Sequence, residues 1–133
     1  MKPAIRVLLL GALDRRQVLV ELLQACLAEV VPVDDRSTLR HLLQTRPVPQ
    51  VVLTEETLPG GDWCDVLEDV AQSGVPAEVV LCTEHAGNGG LWVDALERGV
   101  YDLLVAPYRA EEVRRIVELA AAKSRSRNRG PVF

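Results

Sequence analysis

The 133-residue chain has few aromatic side chains, few cysteines and no long apolar run. Aromatic residues make up only 4% of it, so its core must be aliphatic. Hydrophobic residues nevertheless reach 48%, which excludes wholesale disorder. No stretch approaches the about 20 apolar residues of a membrane span, so we expect no membrane partner.

The cysteines and the amino-terminal segment carry no mark of secretion. Cys26, Cys64 and Cys82 are odd in number and show no C-x-x-C spacing, which predicts reduced, intracellular thiols. Arg6 interrupts the short apolar run near the start, whereas a secretory signal needs a longer uninterrupted one. We therefore predict a cytoplasmic protein.

Charge is distributed unevenly along the chain. The formal net charge is −4, but four basic residues and no acid lie in the last eleven positions: Lys123, Arg125, Arg127 and Arg129. The remaining chain is strongly acidic, which argues against nucleic acid as a direct partner. We predict one domain over residues 1–122 and a basic, disordered tail or linker over residues 123–133.

Short apolar runs alternate with segments of helical periodicity. The predicted strands are 5–10, 30–33, 50–54, 77–83 and 101–106, and the predicted helices are 14–29, 37–44, 62–72, 91–98 and 110–123. Asp14, Ser37 and Asp62 are candidate helix caps, and Pro32 predicts an edge strand. Strand–helix alternation with short connections predicts a parallel sheet with right-handed crossovers.

Ligands of open parallel sheets bind outside the carboxyl ends of the strands. At those ends stand Gly11 and Ala12, then Glu55 and Glu56, then Thr83, and finally Ala106 before Pro107. Any reaction centre is therefore expected among these residues.

Three segments carry a resemblance to a known family. "LPGGD" follows the third strand, "VVLCT" ends in Thr83, and "ALERGVYDLLVAPY" contains the fifth strand. Over residues 4–122 the chain resembles the receiver domains of response regulators, which are CheY-like. The resemblance implies a flavodoxin-like (βα)5 α/β sandwich with a five-stranded parallel sheet of order 2-1-3-4-5.

In that family an Asp after the third strand accepts phosphate, and two acids after the first strand help it hold Mg²⁺. A Lys contacts the phosphoryl group, and a Thr or Ser hydroxyl is pulled toward it on activation. Mg²⁺ requires converging oxygen ligands, and the transferred phosphoryl group requires its charge to be neutralised. The reaction therefore depends on these charges.

The resemblance places these roles on residues that cannot perform most of them. The phosphoacceptor position falls on Glu55, the acidic pair on Gly11 and Ala12, and the lysine on Ala106. The switch positions fall on Thr83 and Leu103, and Pro107 is a cis-proline candidate. The resemblance therefore implies a degenerate pseudo-receiver that is no enzyme and holds neither metal nor cofactor.

A pseudo-receiver is expected to act through protein contacts. The family implies a sensor kinase or an effector domain as partner, bound through the face of the fourth helix, fifth strand and fifth helix. A homodimer through that face or the first helix is an alternative. Trp63 and Trp92 lie at a loop edge and a helix start, where tryptophan often anchors a partner.

Three alternatives stay open from the sequence. Glu55, Glu56 and Asp14 could form a rebuilt Mg²⁺ site in a phosphorylatable receiver. The space beside Gly11, Ala12 and Ala106 could hold a small molecule. Glu55 could also act as a fixed negative charge near Thr83.

Overall fold

The computed structural model describes residues 4–26, 28–84 and 89–129. The strands are β1 (Arg6–Leu10), β2 (Glu29–Val33), β3 (Val51–Glu55), β4 (Thr57–Leu58), β5 (Gly61–Asp62), β6 (Glu78–Thr83) and β7 (Asp102–Val105). The helices are α1 (Leu13–Ala25), α2 (Arg36–Leu43), α3 (Trp63–Ser73), α4 (Gly89–Arg98) and α5 (Ala110–Arg129). None of the described helices has the length and apolar character that a membrane span requires.

Five parallel strands form one sheet in the order β2-β1-β3-β6-β7. Strands β4 and β5 form a small antiparallel hairpin in the loop after β3, so β6 and β7 are the predicted fourth and fifth strands. The order 2-1-3-4-5 is confirmed, and with it the flavodoxin-like fold. Pro32 lies in β2 at the sheet edge, as predicted, where its missing N–H costs no ladder hydrogen bond.

Apolar residues of the central strands serve both faces of the sheet. In β1, Val7 and Leu9 pack with α1 and α5, whereas Leu8 and Leu10 pack with α2 and α3. Successive side chains of a strand point to opposite faces, so an uninterrupted apolar run fits a sheet covered on both sides. The core is aliphatic, as the composition predicts.

Two of the three predicted helix caps are wrong. α1 begins at Leu13 with Ala12 as its N-cap, so Asp14 lies inside the first turn. α2 is capped by Asp35, whose carboxylate accepts a hydrogen bond from the Thr38 N–H at 2.8 Å, and not by Ser37. A carboxylate at the N-cap satisfies a free N–H of the first turn, and Asp35 is placed to do so one residue before the helix. Asp62 caps α3 as predicted.

Helix α5 continues through Arg129. Arg127 forms an ion pair with Glu78, which is only 4% exposed, and Lys123 Nζ lies 4.0 Å from the same carboxylate. Ser124, next to Lys123 in the chain, is buried as well. The prediction of disorder is therefore wrong for residues 123–129, because these cations meet a buried acid that the sequence does not reveal. Residues 130–133 lie outside the described residues.

Candidate functional site

The sheet brings the predicted site positions to one edge. Glu55 ends β3 and is level with Cys82 of β6, while Thr83 ends β6 and is level with Val105 of β7. Gly11 follows β1 directly. The carboxyl ends of these four strands therefore surround a common crevice, where ligands of such folds bind.

The Glu55 side chain lies against the loop after β1. Its Oε1 accepts a hydrogen bond from the Ala12 N–H at 2.6 Å. A Cβ atom added to Gly11 would collide with that Oε1 and lie 2.9 Å from both Cγ and Cδ of Glu55. The Glu55 carboxylate thus occupies the space that a side chain at residue 11 would need.

The Thr83 hydroxyl donates a hydrogen bond to Oε1 of Glu56. Glu56 is held from the other side as well, because its carbonyl accepts a hydrogen bond from the Trp63 N–H at 3.0 Å. Sequence reasoning assigns Glu56 only to a rebuilt acidic site and does not link it to Thr83. No spacing rule signals this contact, since the two residues are 27 positions apart and meet through the pairing of β3 with β6.

Trp63 is a core residue. It is only 6% exposed and packs with Leu81, Ala95, Val100 and Leu103. Its prediction as a partner-surface residue is therefore wrong: it is the first residue of α3, and the helix turns it inward over the sheet. Leu103, the second predicted switch residue, belongs to the same buried cluster.

Ala106, at the position that the resemblance assigns to the lysine, has only a methyl side chain. Ala106 follows β7, and its N–H donates a hydrogen bond to the Thr83 carbonyl at 2.8 Å. The peptide bond from Ala106 to Pro107 is cis, the form implied for this proline by the resemblance. Residue 106 therefore offers the crevice no cation.

The side chains that the structure describes at the crevice do not fit a magnesium ion. Gly11 and Ala12 have no side-chain oxygen, and Glu55 is directed to the Ala12 N–H. Within residues 4–26, 28–84 and 89–129, no group of three or more Asp, Glu, His or Cys side chains could hold a metal. The side chain of Asp14, invoked in the rebuilt site, lies outside the described residues.

The three cysteines have weakly acidic thiols. Burial, and after it the negative charge of Glu55, raises the pKa of Cys82 above its ordinary value of 9.0. Burial also raises the pKa of Cys26 and of Cys64. Because the thiolate is the reactive form, these pKa shifts suit apolar core residues better than nucleophiles.

An apolar surface lies on α4 beside β7 and α5. Trp92 is 42% exposed, Val93 57% and Leu96 44%. A groove of about 430 Å³ runs beside Trp92, and its lining includes Leu103, Val105, Pro107, Arg109, Glu112 and Arg115. We call this groove and the three exposed α4 residues the α4–β7–α5 face.

Comparisons with known proteins identify the family. No family model matches the chain. It is 32% identical over 73 residues to the chemotaxis protein CheY of Listeria monocytogenes, which covers 55% of this chain and 60% of that protein. It is also 32% identical over 112 residues to the C4-dicarboxylate transport transcriptional regulatory protein DctD of Pseudomonas aeruginosa, covering 77% of this chain and 24% of that protein. The chain thus spans less than two thirds of either relative's length.

A solved structure supports the same fold over nearly the whole chain. The signal receiver domain of an HD domain-containing protein from Pseudomonas fluorescens superposes with a TM-score of 0.83, 21% identity and coverage of 98% of this chain and 96% of that one. The sheet order and this superposition define a flavodoxin-like α/β domain. More particularly, the chain belongs to the CheY-like receiver domains of response regulators.

Proposed function

We propose that this receiver domain is a signalling module that works through protein contacts without phosphorylation of an aspartate. One observation carries the proposal: the Glu55 carboxylate fills the space of a residue-11 side chain and accepts the Ala12 N–H. Ala106 adds no positive charge at the position of the family's lysine. Phosphoryl transfer depends on neutralising the equatorial oxygens, and the described side chains of the crevice supply neither converging carboxylates for Mg²⁺ nor a lysine.

Beryllofluoride, an analogue of the phosphoryl group, tests this proposal directly. Amide spectra of the ¹⁵N-labelled chain are recorded with Mg²⁺ and fluoride, and again after beryllium is added. We expect no beryllium-dependent shift at Gly11, Glu55 or Thr83, and no added phosphoryl mass after incubation with acetyl phosphate. A saturable, Mg²⁺-dependent shift at these residues would contradict the proposal and support the rebuilt acidic site.

The two alternatives meet obstacles in the described geometry. A rebuilt magnesium site needs carboxylates that converge, whereas Glu55 accepts from the Ala12 N–H and Glu56 from the Thr83 hydroxyl. A small molecule beside Gly11 would have to displace the Glu55 carboxylate. A thermal-shift screen with metabolites tests for such a small molecule, because a bound ligand raises the unfolding temperature.

The partner surface belongs to the same proposal. We assign it to the α4–β7–α5 face, with a sensor kinase or an effector domain as the partner. Trp92 is a large, half-exposed aromatic residue, and it lines one groove with Arg109, Glu112 and Arg115, which supply charges of both signs. Aromatic anchors surrounded by polar residues are typical of interface hot spots. The cytoplasmic location predicted from the sequence is kept as part of this proposal.

Substituting the exposed tryptophan tests the surface. Trp92→Ala is expected to weaken binding of the partner at least about tenfold, since aromatic hot-spot residues contribute ~2 kcal/mol or more. Stability should change little, because the side chain is 42% exposed. The control is Val18→Ala, which truncates a similarly exposed apolar residue on α1.

The measurement begins with native-cell pull-downs on the wild type and both variants. A kinase or effector domain that Val18→Ala retains and Trp92→Ala loses is then purified and titrated against all three chains. Equal affinities for the three chains would remove the α4–β7–α5 face from the proposal. Sedimentation of the chain alone shows whether the face is covered instead by a second copy.

A further inference from the structure

The hydrogen bond from Thr83 to Glu56 joins two separate segments of the site. Thr83 is the last residue of β6, and Glu56 comes directly after the last residue of β3. Thr83 is buried, so its hydroxyl gains from a protein acceptor. An ionised carboxylate is a stronger acceptor than a neutral group. The bond therefore fixes the end of β6 against the β3–α3 loop.

Glu56 itself stands on a rigid support. Its carbonyl accepts the Trp63 N–H at 3.0 Å, and the Trp63 ring is buried among Leu81, Ala95 and Leu103. That cluster joins α3, β6, α4 and β7. The carboxylate thus projects from a loop that is fastened to the same elements that form the partner surface.

Thr83 is joined to the partner surface as well. Its carbonyl accepts the Ala106 N–H at 2.8 Å, which ties it to the segment after β7. Helix α4 begins six residues later, at Gly89, and only Ala95 of that helix is buried. A helix with so little buried surface is easily shifted by a change in the residues against which it packs.

We propose that Glu56 is a positioning residue that holds the Thr83 hydroxyl permanently toward the β3–α3 loop and thereby presets the α4–β7–α5 face. This inference rests on the proposed function and deepens it. In the family the hydroxyl is pulled by a phosphoryl group that comes and goes. In this chain a carboxylate built into the sequence already engages the hydroxyl, so the surface is kept in one state.

The test uses amide spectra and relaxation of the whole chain. Glu56→Ala removes the acceptor and Thr83→Val removes the donor at nearly constant shape. Both variants are expected to shift resonances across Gly89–Arg98, including the Trp92 indole N–H, and to introduce exchange broadening in α4. Thr83→Ser, which restores a hydroxyl, should return the Trp92 signal toward its wild-type position.

The control is Glu84→Ala, which removes an exposed carboxylate next to Thr83. Its shifts should stay within neighbouring residues and leave the Trp92 indole unchanged. Should the Glu56→Ala chain fail to fold by circular dichroism, Glu56→Gln, which replaces the ionisable acceptor by a neutral one of the same size, and Thr83→Val provide the comparison, with Thr83→Ser again as the rescue. Unfolding alone would move all resonances, whereas the proposal requires a change concentrated in α4 and β7.

Two results overturn the inference. The first is an α4 spectrum that stays unchanged in Glu56→Ala while the Thr83 resonances move. The second is an effect of Thr83→Val in α4 that persists undiminished when Glu56 is already Ala. The proposed function fails on a different result, a beryllofluoride response of the wild-type chain, so the two failures are distinguishable.

Discussion

The sizes of the side chains at positions 11 and 55 are complementary. The extra methylene of Glu relative to Asp lets the carboxylate reach the Ala12 N–H, and the missing side chain of Gly11 leaves the space for it. In the roles that the resemblance assigns to these positions, each residue alone would be unsuited to phosphoryl transfer. Together they form a packed and hydrogen-bonded contact between β3 and the loop after β1.

This pairing predicts strong coupling between two substitutions. Gly11→Ala forces the Glu55 side chain away and should lower the free energy of unfolding by ~1–2 kcal/mol, through crowding and the lost hydrogen bond. The backbone at Gly11 is not left-handed, so Ala is otherwise tolerated there. With Glu55→Ala already in place, Gly11→Ala should be neutral or stabilise by about 0.5 kcal/mol. Urea unfolding of the four chains measures the coupling, and additive effects would disprove the contact.

Cys82 predicts a pH effect on stability. Its pKa is raised in the folded state by burial first and by Glu55 second. Above about pH 9 the unfolded chain releases this proton and the folded chain keeps it, so stability is full below that pH and falls as pH rises. Relative to Cys82→Ala, the wild type should lose ~1.4 kcal/mol per pH unit beyond that point. Urea titrations at about pH 8 and about pH 10 measure this, and parallel losses would contradict it.

At the scale of elements, the sequence predicts the middle of a strand or helix better than the residues at which it begins and ends. Runs such as Val51–Leu53 identify strands because apolar burial on both faces leaves little alternative. Helix starts depend on which side chain reaches a free N–H, and at α2 this is Asp35, whereas the sequence pattern favours Ser37. The end of α5 depends on Glu78, whose burial is a property of the tertiary structure. Local patterns cannot supply such information.

The α5 extension carries its own prediction. Arg127→Ala leaves the buried Glu78 carboxylate with the more distant Lys123 Nζ, at 4.0 Å, as its remaining ion-pair partner among the described residues. It should destabilise the chain by ~1–2 kcal/mol, less than loss of a fully buried pair, because Arg127 is half exposed. The matched control is Arg114→Ala on the same helix, which breaks an exposed pair with Glu118 and should cost below about 0.5 kcal/mol. Hydrogen exchange of residues 123–127 localises the effect. Equal costs for both variants would exclude the role of Glu78.

On the scale of the whole molecule, scaffold and reaction centre are separable. The fold superposes on a receiver domain with a TM-score of 0.83, although Gly11, Ala12 and Ala106 bring no charged side chain to the described part of the crevice. The sequence predicts the loss at positions 11, 12 and 106, because a missing side chain is visible in a sequence. It does not predict where Glu55 and Glu56 direct their carboxylates, because that depends on how the end of β3 and the residue after it pack against the loop after β1 and the end of β6.

Separability predicts that the site can be rebuilt on this scaffold. A chain with Gly11→Asp, Ala12→Asp, Glu55→Asp and Ala106→Lys together should show Mg²⁺-dependent beryllofluoride shifts in amide spectra, since the strand ends already lie in receiver positions. The chain that keeps Glu55 and carries the other three changes is the control. It should not respond, because the longer carboxylate crowds residue 11. A response of both chains would show that the space beside Gly11 is not decisive.

The contact between Gly11 and Glu55 also restricts which substitutions can occur one at a time. An acid introduced at position 11 alone would meet the space that Glu55 occupies and a second carboxylate of like charge. A stepwise exchange of both residues therefore passes through at least one less stable sequence. Under the proposed function, packing at these two positions opposes the acquisition of phosphate chemistry and leaves the surfaces of the domain freer to change.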